Sequence, residues 1–194
     1  MQFFICCRKN RQCNHKSYKK IQKKIIFQKN KGYGDALITG IKKIKTKYFC
    51  IFNADGSFNP RELKKMLKSL RLKQNDFIFA SRYETNCSSE DDTIITLIGN
   101  YFFTKIGNIF FQLHITDILY TYVIGKTISA QKLNLKEKKF GFCVELPIKA
   151  SLRNMKISTS KSHERRRYSG IKKVNAFKDG FLILLTMIKL FFVK

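Results

Sequence analysis

The stretch from Tyr48 to Pro60, YFCIFNADGSFNP, most constrains what this chain can fold into. Its first five residues are wholly apolar and include aromatic and β-branched side chains, which is typical of a strand buried on both faces of a parallel sheet. The strand ends in the NADG turn at 53–56, and residues 59–62 have the composition of a capped helix start. This order predicts an α/β protein. Asp55 would then lie at the sheet edge where such folds bind ligands, and its carboxylate can hold a divalent cation there.

The charge of the chain is strongly positive and unevenly distributed. Its 39 Lys and Arg residues against 13 Asp and Glu residues give a net charge of +26, and its 44% apolar content is enough for one domain with a closed core. Residues 1–48 carry fourteen basic residues and one acidic residue, whereas residues 49–100 carry seven of each. Cationic flanks around an acidic centre suit phosphate groups, an anionic membrane surface or nucleic acid. A solvated lysine-rich surface is the alternative for most individual lysines.

Two glycines precede the first predicted helix, which is expected to run to about Lys43. Backbone amides point outward at a helix N-terminus, so Gly32 and Gly34 can approach a phosphate there. A tight turn without a ligand is the open alternative.

A second buried strand is predicted at residues 76–80. It would deliver Arg82 to the sheet edge that carries Asp55, where Arg82 would meet a phosphate or pair with Asp55. The polar, acidic loop at 84–92 has the composition of a mobile surface segment.

Two more acids follow longer apolar segments. Asp117 comes after a long helical pattern, and Glu145 stands at the start of another helix. An acid in such a setting is either a catalytic or acceptor-contacting group or a helix N-terminal charge, and the residues alone leave both readings open.

Two apolar segments are too interrupted for a clean membrane span. Residues 94–113 combine an apolar helical face with polar residues spaced four apart, and Lys105 stands near the centre. This pattern favours a buried or membrane-surface helix over a transmembrane one. Residues 181–193 likewise predict a helix lying on a membrane surface. Between the two segments, the run at 163–173 is dense in phosphate-binding side chains, with a solvated basic surface as the alternative.

Taken together, the motifs of the chain resemble the family 2 glycosyltransferases with the GT-A fold, particularly the dolichol-phosphate mannosyltransferase-like branch. The resemblance covers about residues 24–185. It rests on NKGYGDALITGI at 30–41, NADGSFNP at 53–60, ASRY at 80–83, TD at 116–117, GFCVE at 141–145 and ERRRYSGIKKV at 164–174.

The resemblance implies a role for each motif. Asp55, with Asn53 as a neutral neighbour, would hold Mg or Mn against the diphosphate of a nucleotide-diphosphate sugar, and the cation would assist the leaving group. Asp117 and Glu145 would lie near the donor sugar or the acceptor. A basic loop would close over the phosphates; its members here are Arg165, Arg167, Lys172 and Lys173.

The N-terminus departs from the family pattern. Family members open with an apolar strand and a nucleotide-binding loop, which residues 1–23 do not match. The expectation is therefore a mostly parallel GT-A-like sheet flanked by helices that lacks the first strand-helix unit, as in a truncated family member. The expected organisation is a poorly ordered basic lead-in at 1–23, a partial GT-A domain at 24–175 and a membrane-surface helix at 176–194.

The function that these features predict is sugar transfer at the cytoplasmic membrane face, to an acceptor such as a polyprenyl phosphate lipid, and the truncation predicts impaired activity of this chain alone. Six cysteines without a paired framework agree with a cytosolic setting. The alternatives are a basic nucleic-acid-binding protein and a non-catalytic membrane-surface protein. The former is disfavoured because the chain has no recognisable reading helix or aromatic RNA platform.

Overall fold

A computed structural model describes residues 3–7, 23–28, 30–168 and 175–193. The strands are β1 (Phe3–Cys7), β2 (Lys23–Phe27), β3 (Tyr48–Ile51), β4 (Phe77–Ser81), β5 (Ser88–Ser89), β6 (Val123–Lys126), β7 (Ile157–Lys161) and β8 (His163–Glu164). The helices are α1 (Tyr33–Lys43), α2 (Glu62–Leu72), α3 (Ile94–Phe111), α4 (Thr127–Lys132), α5 (Phe142–Leu152) and α6 (Ala176–Phe192).

The central sheet has four strands in the order β3-β6-β4-β7. β6 is antiparallel to both β3 and β4, and β7 is parallel to β4, so β3, β4 and β7 all run in the same direction. The prediction of a mostly parallel sheet is therefore confirmed for strand direction, with β6 inserted antiparallel between β3 and β4. Because Val123 at the start of β6 pairs with Ile51 at the end of β3, the segment leading into β6 crosses the edge that carries the acidic turn.

Helices cover both faces of this sheet. On one face, Met66 and Leu70 of α2 pack on Ile78 and Ile124, which confirms the apolar stripe of α2 as core. The opposite face packs against α1, α4 and α5. α3 and α6 contact α5 in a third apolar cluster.

The N-terminal segment differs from the expectation of a poorly ordered lead-in. Residues 3–7, the apolar run FFICC, form a strand that pairs in parallel with β2, with Phe3 opposite Lys23 and Cys7 opposite Phe27. Two consecutive parallel strands need a crossover connection of a dozen or more residues. Residues 8–22 have that length and lie outside the described part of the chain.

Asp76 joins three elements at the end of the sheet opposite the acidic turn. Its carboxylate accepts hydrogen bonds from Ser129 Oγ at 2.8 Å, Lys126 Nζ at 3.1 Å and the backbone N of Lys156 at 3.0 Å. Burial raises the pKa of Asp76, but these donors and the charge of Lys126 outweigh burial, so its pKa lies below the ordinary value.

Asp76→Asn is expected to lower the free energy of unfolding at pH 7 by about 1–3 kcal/mol, because three donors lose an ionised acceptor. A depressed carboxyl pKa stabilises the fold above the unfolded-state value of about 3.9. This contribution is lost as the pH falls through the folded-state value. Urea unfolding of both proteins should therefore show a gap at pH 7 that closes below about pH 4. A gap that is constant down to acid pH would contradict this assignment.

Candidate active site

The acidic turn holds Asp55 at the carboxyl end of β3. Its Oδ1 accepts hydrogen bonds from the backbone N and Oγ of Ser57, at 3.1 and 2.8 Å. Gly56 adopts φ 89°, and a Cβ at this position would lie 3.0 Å from Cβ of Tyr168. One carboxylate oxygen is thus fixed by the turn. The other, Oδ2, points towards the arginine segment, on a side chain that is 23% exposed.

Arg167 faces this carboxylate. Its Nη1 lies 3.8 Å from Asp55 Oδ2, while Nε and Nη2 donate to the two oxygens of Asp91 at 3.2 and 2.7 Å. The backbone N of Tyr168 donates to the carbonyl of Asp55 at 2.7 Å. The segment after β8 is therefore bound directly to the acidic turn.

The other members of the predicted basic loop have different places. Arg165 supports the turn from outside: its backbone N donates to the carbonyl of Ser57 at 3.0 Å, and its Nη2 donates to the carbonyl of Phe58 at 2.8 Å. Its guanidinium thus binds protein backbone. Lys172 and Lys173 lie outside the described residues.

Arg82 is the centre of a buried charge network behind this turn. Its Nε and Nη2 donate to the two oxygens of Asp117 at 2.7 and 3.0 Å, and its Nη1 lies 2.9 Å from Glu164 and 3.1 Å from Asp92. The guanidinium also lies over the rings of Tyr83 and Tyr120. Burial disfavours its charge, but the three carboxylates outweigh burial and raise the pKa of Arg82. Arg82 is thus paired with Asp117, where the sequence pointed to a phosphate or Asp55.

Asp117 is 1% exposed and both of its oxygens bind Arg82. Burial raises the pKa of Asp117, and the charge and hydrogen bonds of Arg82 oppose this shift. The structure therefore places Asp117 as the partner that orients Arg82. Its predicted catalytic role stays a prediction, and proton acceptance would require release from Arg82.

The polar stripe on α3 explains how Asp117 reaches this place. Asn100 Oδ1 accepts from the backbone N of Leu119 at 2.9 Å, and Thr104 Oγ1 accepts from that of Ile118 at 3.2 Å. Asn108 binds both the N and the carbonyl of Ile115. The four-residue spacing seen in the sequence is the spacing of side chains that bind the irregular segment 115–119 along the helix.

The acidic loop at 84–92 is attached to the rest of the site, contrary to the expectation of a mobile segment. β5 within it pairs in parallel with β8, and Glu90 accepts from the backbone N of Arg166 at 3.1 Å. Tyr83 Oη donates to Asp92. Asp91, Asp92 and Glu164 are thus site residues that the sequence interpretation missed. Their signal was the complementarity between the acids at 90–92 and the arginines at 165–167.

Glu145 and the two glycines meet at a different segment, residues 136–139. Glu145 is 2% exposed; its carboxylate accepts from the backbone N of Lys136 and of Glu137, and pairs with Lys149 at 2.7 Å. A Cβ on Gly32 would lie 2.0 Å from the carbonyl O of Lys138, and one on Gly34 would lie 2.1 Å from that of Glu137. Close packing of backbone therefore accounts for both glycines without a phosphate, and their predicted ligand contact stays a prediction.

Asn53 and Asp55 supply few ligands for a metal ion. Tyr33 Oη donates to Asn53 Oδ1 at 3.5 Å and lies 2.6 Å from Thr121 Oγ1. Over the described ranges, His, Cys, Asp and Glu side chains form no group of three suited to an ion. One carboxylate and one amide oxygen fit a Mg²⁺ or Mn²⁺ ion whose remaining ligands are substrate phosphates and water.

The family is shown by comparison with known proteins. Residues 11–133, more than half of the chain, match the model of "Glycosyl transferase family 2". The chain belongs to this family. Among its relatives, the "Low-salt glycan biosynthesis hexosyltransferase Agl6" from Haloferax volcanii is 22% identical over 158 residues, which cover 81% of this chain and 38% of that protein. The uncharacterized protein MJ1222 of Methanocaldococcus jannaschii is 26% identical over 136 residues, covering 66% and 55%.

Solved structures confirm the expected GT-A-like α/β fold of this family member. Glucosyl-3-phosphoglycerate synthase from Mycobacterium tuberculosis with UDP superposes with a TM-score of 0.64 at 9% identity, covering 87% of this chain and 61% of that one. Its complex with Mn²⁺, UDP and phosphoglyceric acid gives 0.60 at 10% identity, covering 87% and 60%. The chain spans less than two thirds of the length of each of these four matches.

Proposed function

We propose that this family 2 glycosyltransferase transfers a sugar from a nucleotide-diphosphate sugar, with the diphosphate bound at the sheet edge that Asp55 and Arg167 share. The observation that carries the proposal is the 3.8 Å approach of Arg167 to Asp55 at the carboxyl end of β3. A carboxylate for a cation and an arginine for phosphate oxygens then face the same place. Family membership supports the reaction class, and the structural neighbours include complexes with UDP and UDP-glucose.

The residues of the site have separate roles in binding the nucleotide-diphosphate sugar. Asp55, with Asn53 beside it, would hold Mg²⁺ or Mn²⁺, and a cation there supplies Lewis-acid stabilisation of the leaving diphosphate. Asp91 holds one edge of the Arg167 guanidinium, so the edge facing Asp55 is already oriented. Arg165 and Gly56 keep the turn in the shape that presents Asp55.

The acceptor that we propose is a polyprenyl phosphate, as in the dolichol-phosphate mannosyltransferase-like branch. A hydroxyl acceptor needs a base, but the two predicted bases, Asp117 and Glu145, are buried and already accept several hydrogen bonds. A phosphate oxygen is anionic at neutral pH and needs no base. In this reaction the phosphate oxygen bonds to the anomeric carbon, the bond from that carbon to the diphosphate breaks, and the nucleoside diphosphate leaves without proton transfer.

We also propose a peripheral location at the cytoplasmic membrane face. α3 is long and apolar enough to cross a membrane by length and composition, but its polar stripe binds segment 115–119 and Lys105 is exposed. Its other side and the adjoining side of α6 expose large apolar residues, which suits a helix pair lying in the interface. The most exposed of them are Ile94, Ile98, Tyr101, Ile109, Phe177, Phe181 and Phe192.

Asp55→Asn is expected to weaken binding of UDP or GDP in the presence of Mn²⁺ by at least about tenfold, measured by calorimetry, because the cation loses its charged ligand. Ser57→Ala is the matched control, since it removes a donor to the same carboxylate but keeps the charge. It should retain most of the affinity. Transfer of labelled sugar to a polyprenyl phosphate is then measured separately.

Two results would contradict the proposal. One is equal nucleotide affinity in wild type and the Asp55 variant. The other is salt-sensitive binding of DNA or RNA without metal-dependent nucleotide binding, which would favour the nucleic-acid alternative.

A further inference from the structure

A groove lies between segment 136–139 and α6, with a volume of about 370 Å³. One wall carries Lys136, Lys138 and Lys139, and the other carries Leu182, Leu185 and Lys189. Asp55, Arg167 and the Arg82 network do not line it. The groove is therefore a feature separate from the candidate active site.

The cationic wall has a fixed backbone. Glu145 accepts from the backbone N of Lys136 and Glu137, and the backbone N of Asp35 donates to the carbonyl of Lys138 at 3.0 Å. The three lysine side chains on this segment are exposed. Their starting points are thus held in place, which lowers the entropy lost when the side chains bind an anion.

The charge of the groove is positive. Its four lysines and one glutamate leave a net charge of +3. Lys189 Nζ lies 3.4 Å from Glu137 Oε1, which neutralises one lysine. Among the described residues no carboxylate lies within ion-pair distance of Lys136, Lys138 or Lys139. These three ammonium groups therefore remain for an external anion.

The opposite wall is apolar and continues into the exposed face of the helix pair. Leu182 and Leu185 stand on the same side of α6 as Lys189, and Leu185 is 44% exposed. α6 runs beside α3, with Gly180 next to Phe103 and Phe191 against Phe110. A ligand with an anionic head at the lysines and an apolar chain along α6 would match both walls.

We infer that this groove binds the phosphate headgroup of an anionic membrane lipid, with the upper part of the lipid chain against Leu182 and Leu185. The inference rests on the proposed membrane-surface location and is independent of sugar transfer. The two walls together favour a membrane lipid as the source of the phosphate group, because a free phosphate would leave the apolar wall without a partner. The lysines would then determine the orientation of α3 and α6 on the membrane surface.

The test is binding to vesicles by sedimentation, with phosphatidylcholine alone or mixed with phosphatidylglycerol. The variant K136Q/K138Q/K139Q should bind anionic vesicles at least about tenfold more weakly, since each lysine near an anionic surface contributes substantially to binding. The matched control is K64Q/K65Q/K68Q on α2, which removes the same charge from exposed lysines of another helix. The logarithm of its affinity for anionic vesicles should fall by less than about a third as much as in the groove variant, because these lysines lie away from the groove.

Each of the next three outcomes would overturn the inference. Equal losses in the two triple variants would mean that net charge alone attracts the protein. Equal binding to neutral vesicles would assign attachment to the apolar face only. Glycerol 3-phosphate that binds the wild type in calorimetry and displaces it from vesicles would assign the groove to a soluble phosphate. Nucleotide binding in the groove variant should stay at the wild-type level, which separates this result from a failure of the proposed function.

Discussion

Arg82→Met is expected to lower the free energy of unfolding by about 3–5 kcal/mol, because it leaves the buried carboxylates of Asp117 and Glu164, and the largely buried one of Asp92, without their shared cation. Methionine keeps the length and apolar stem of the side chain, so the loss measures charge and hydrogen bonding rather than a cavity. Guanidinium unfolding followed by circular dichroism gives the value. A marginally stable domain would be largely unfolded by such a loss.

The control for this variant is Arg71→Met, an exposed arginine at the end of α2, which should change stability by less than about 0.5 kcal/mol. Combining Arg82→Met with Asp117→Asn should recover part of the loss, because one of the unpaired charges is removed. Arg82→Lys should recover little, since one ammonium cannot serve three carboxylates as a planar fork does. If Arg82→Met lowers the free energy of unfolding by less than about 1 kcal/mol, the network is solvated and does not stabilise the fold.

The local parts of the fold could be predicted from the sequence. The apolar run at 48–52, the stripe of α2 and the turn around Asp55 each depend on residues a few positions apart. Their periodicity and turn chemistry act at short range. The closeness of Arg167 to Asp55 followed from the family resemblance, and the structure places the two side chains 3.8 Å apart.

The partners of the charged residues could not be predicted in the same way. Arg82 binds Asp117 and Glu164, which are 35 and 82 positions away, so their pairing depends on the order of strands in the sheet. The insertion of β6 between β3 and β4 brings segment 115–119 to that edge. Without this topology, Asp117 is only an acid after a helix. For the same reason the polar stripe of α3 was visible, but the segment that it binds was not.

The glycines at the start of α1 show how one sequence pattern can serve either ligand binding or close packing. Gly-Tyr-Gly before a helix suits a phosphate, yet the structure brings the backbone of residues 137–139 to within contact of both glycines. Glu145 holds that segment from the other side. Stability measurements can separate the two purposes, because a ligand site and a packing contact respond differently to an added methyl group.

Gly34→Ala is expected to destabilise the protein by about 3 kcal/mol, at the upper end of the range for overpacking. Its Cβ would lie 2.1 Å from the carbonyl O of Glu137 and 2.7 Å from that of Lys139, so backbone has to move. Gly40→Ala in the same helix is the matched control, because its Cβ meets nothing within 4 Å. It should stabilise the protein by roughly 0.5–1 kcal/mol through helix propensity.

The opposite signs of the two substitutions make thermal and urea unfolding decisive. If Gly34→Ala keeps wild-type stability but loses Mn²⁺-dependent nucleotide binding, the packing explanation fails and the phosphate contact predicted from the sequence is supported. If it unfolds at lower urea while Gly40→Ala unfolds at higher urea, the glycine at 34 is required by the approach of the backbone of segment 137–139. That segment also forms the lysine wall of the groove, so in this case the same variant should bind anionic vesicles more weakly wherever it remains folded.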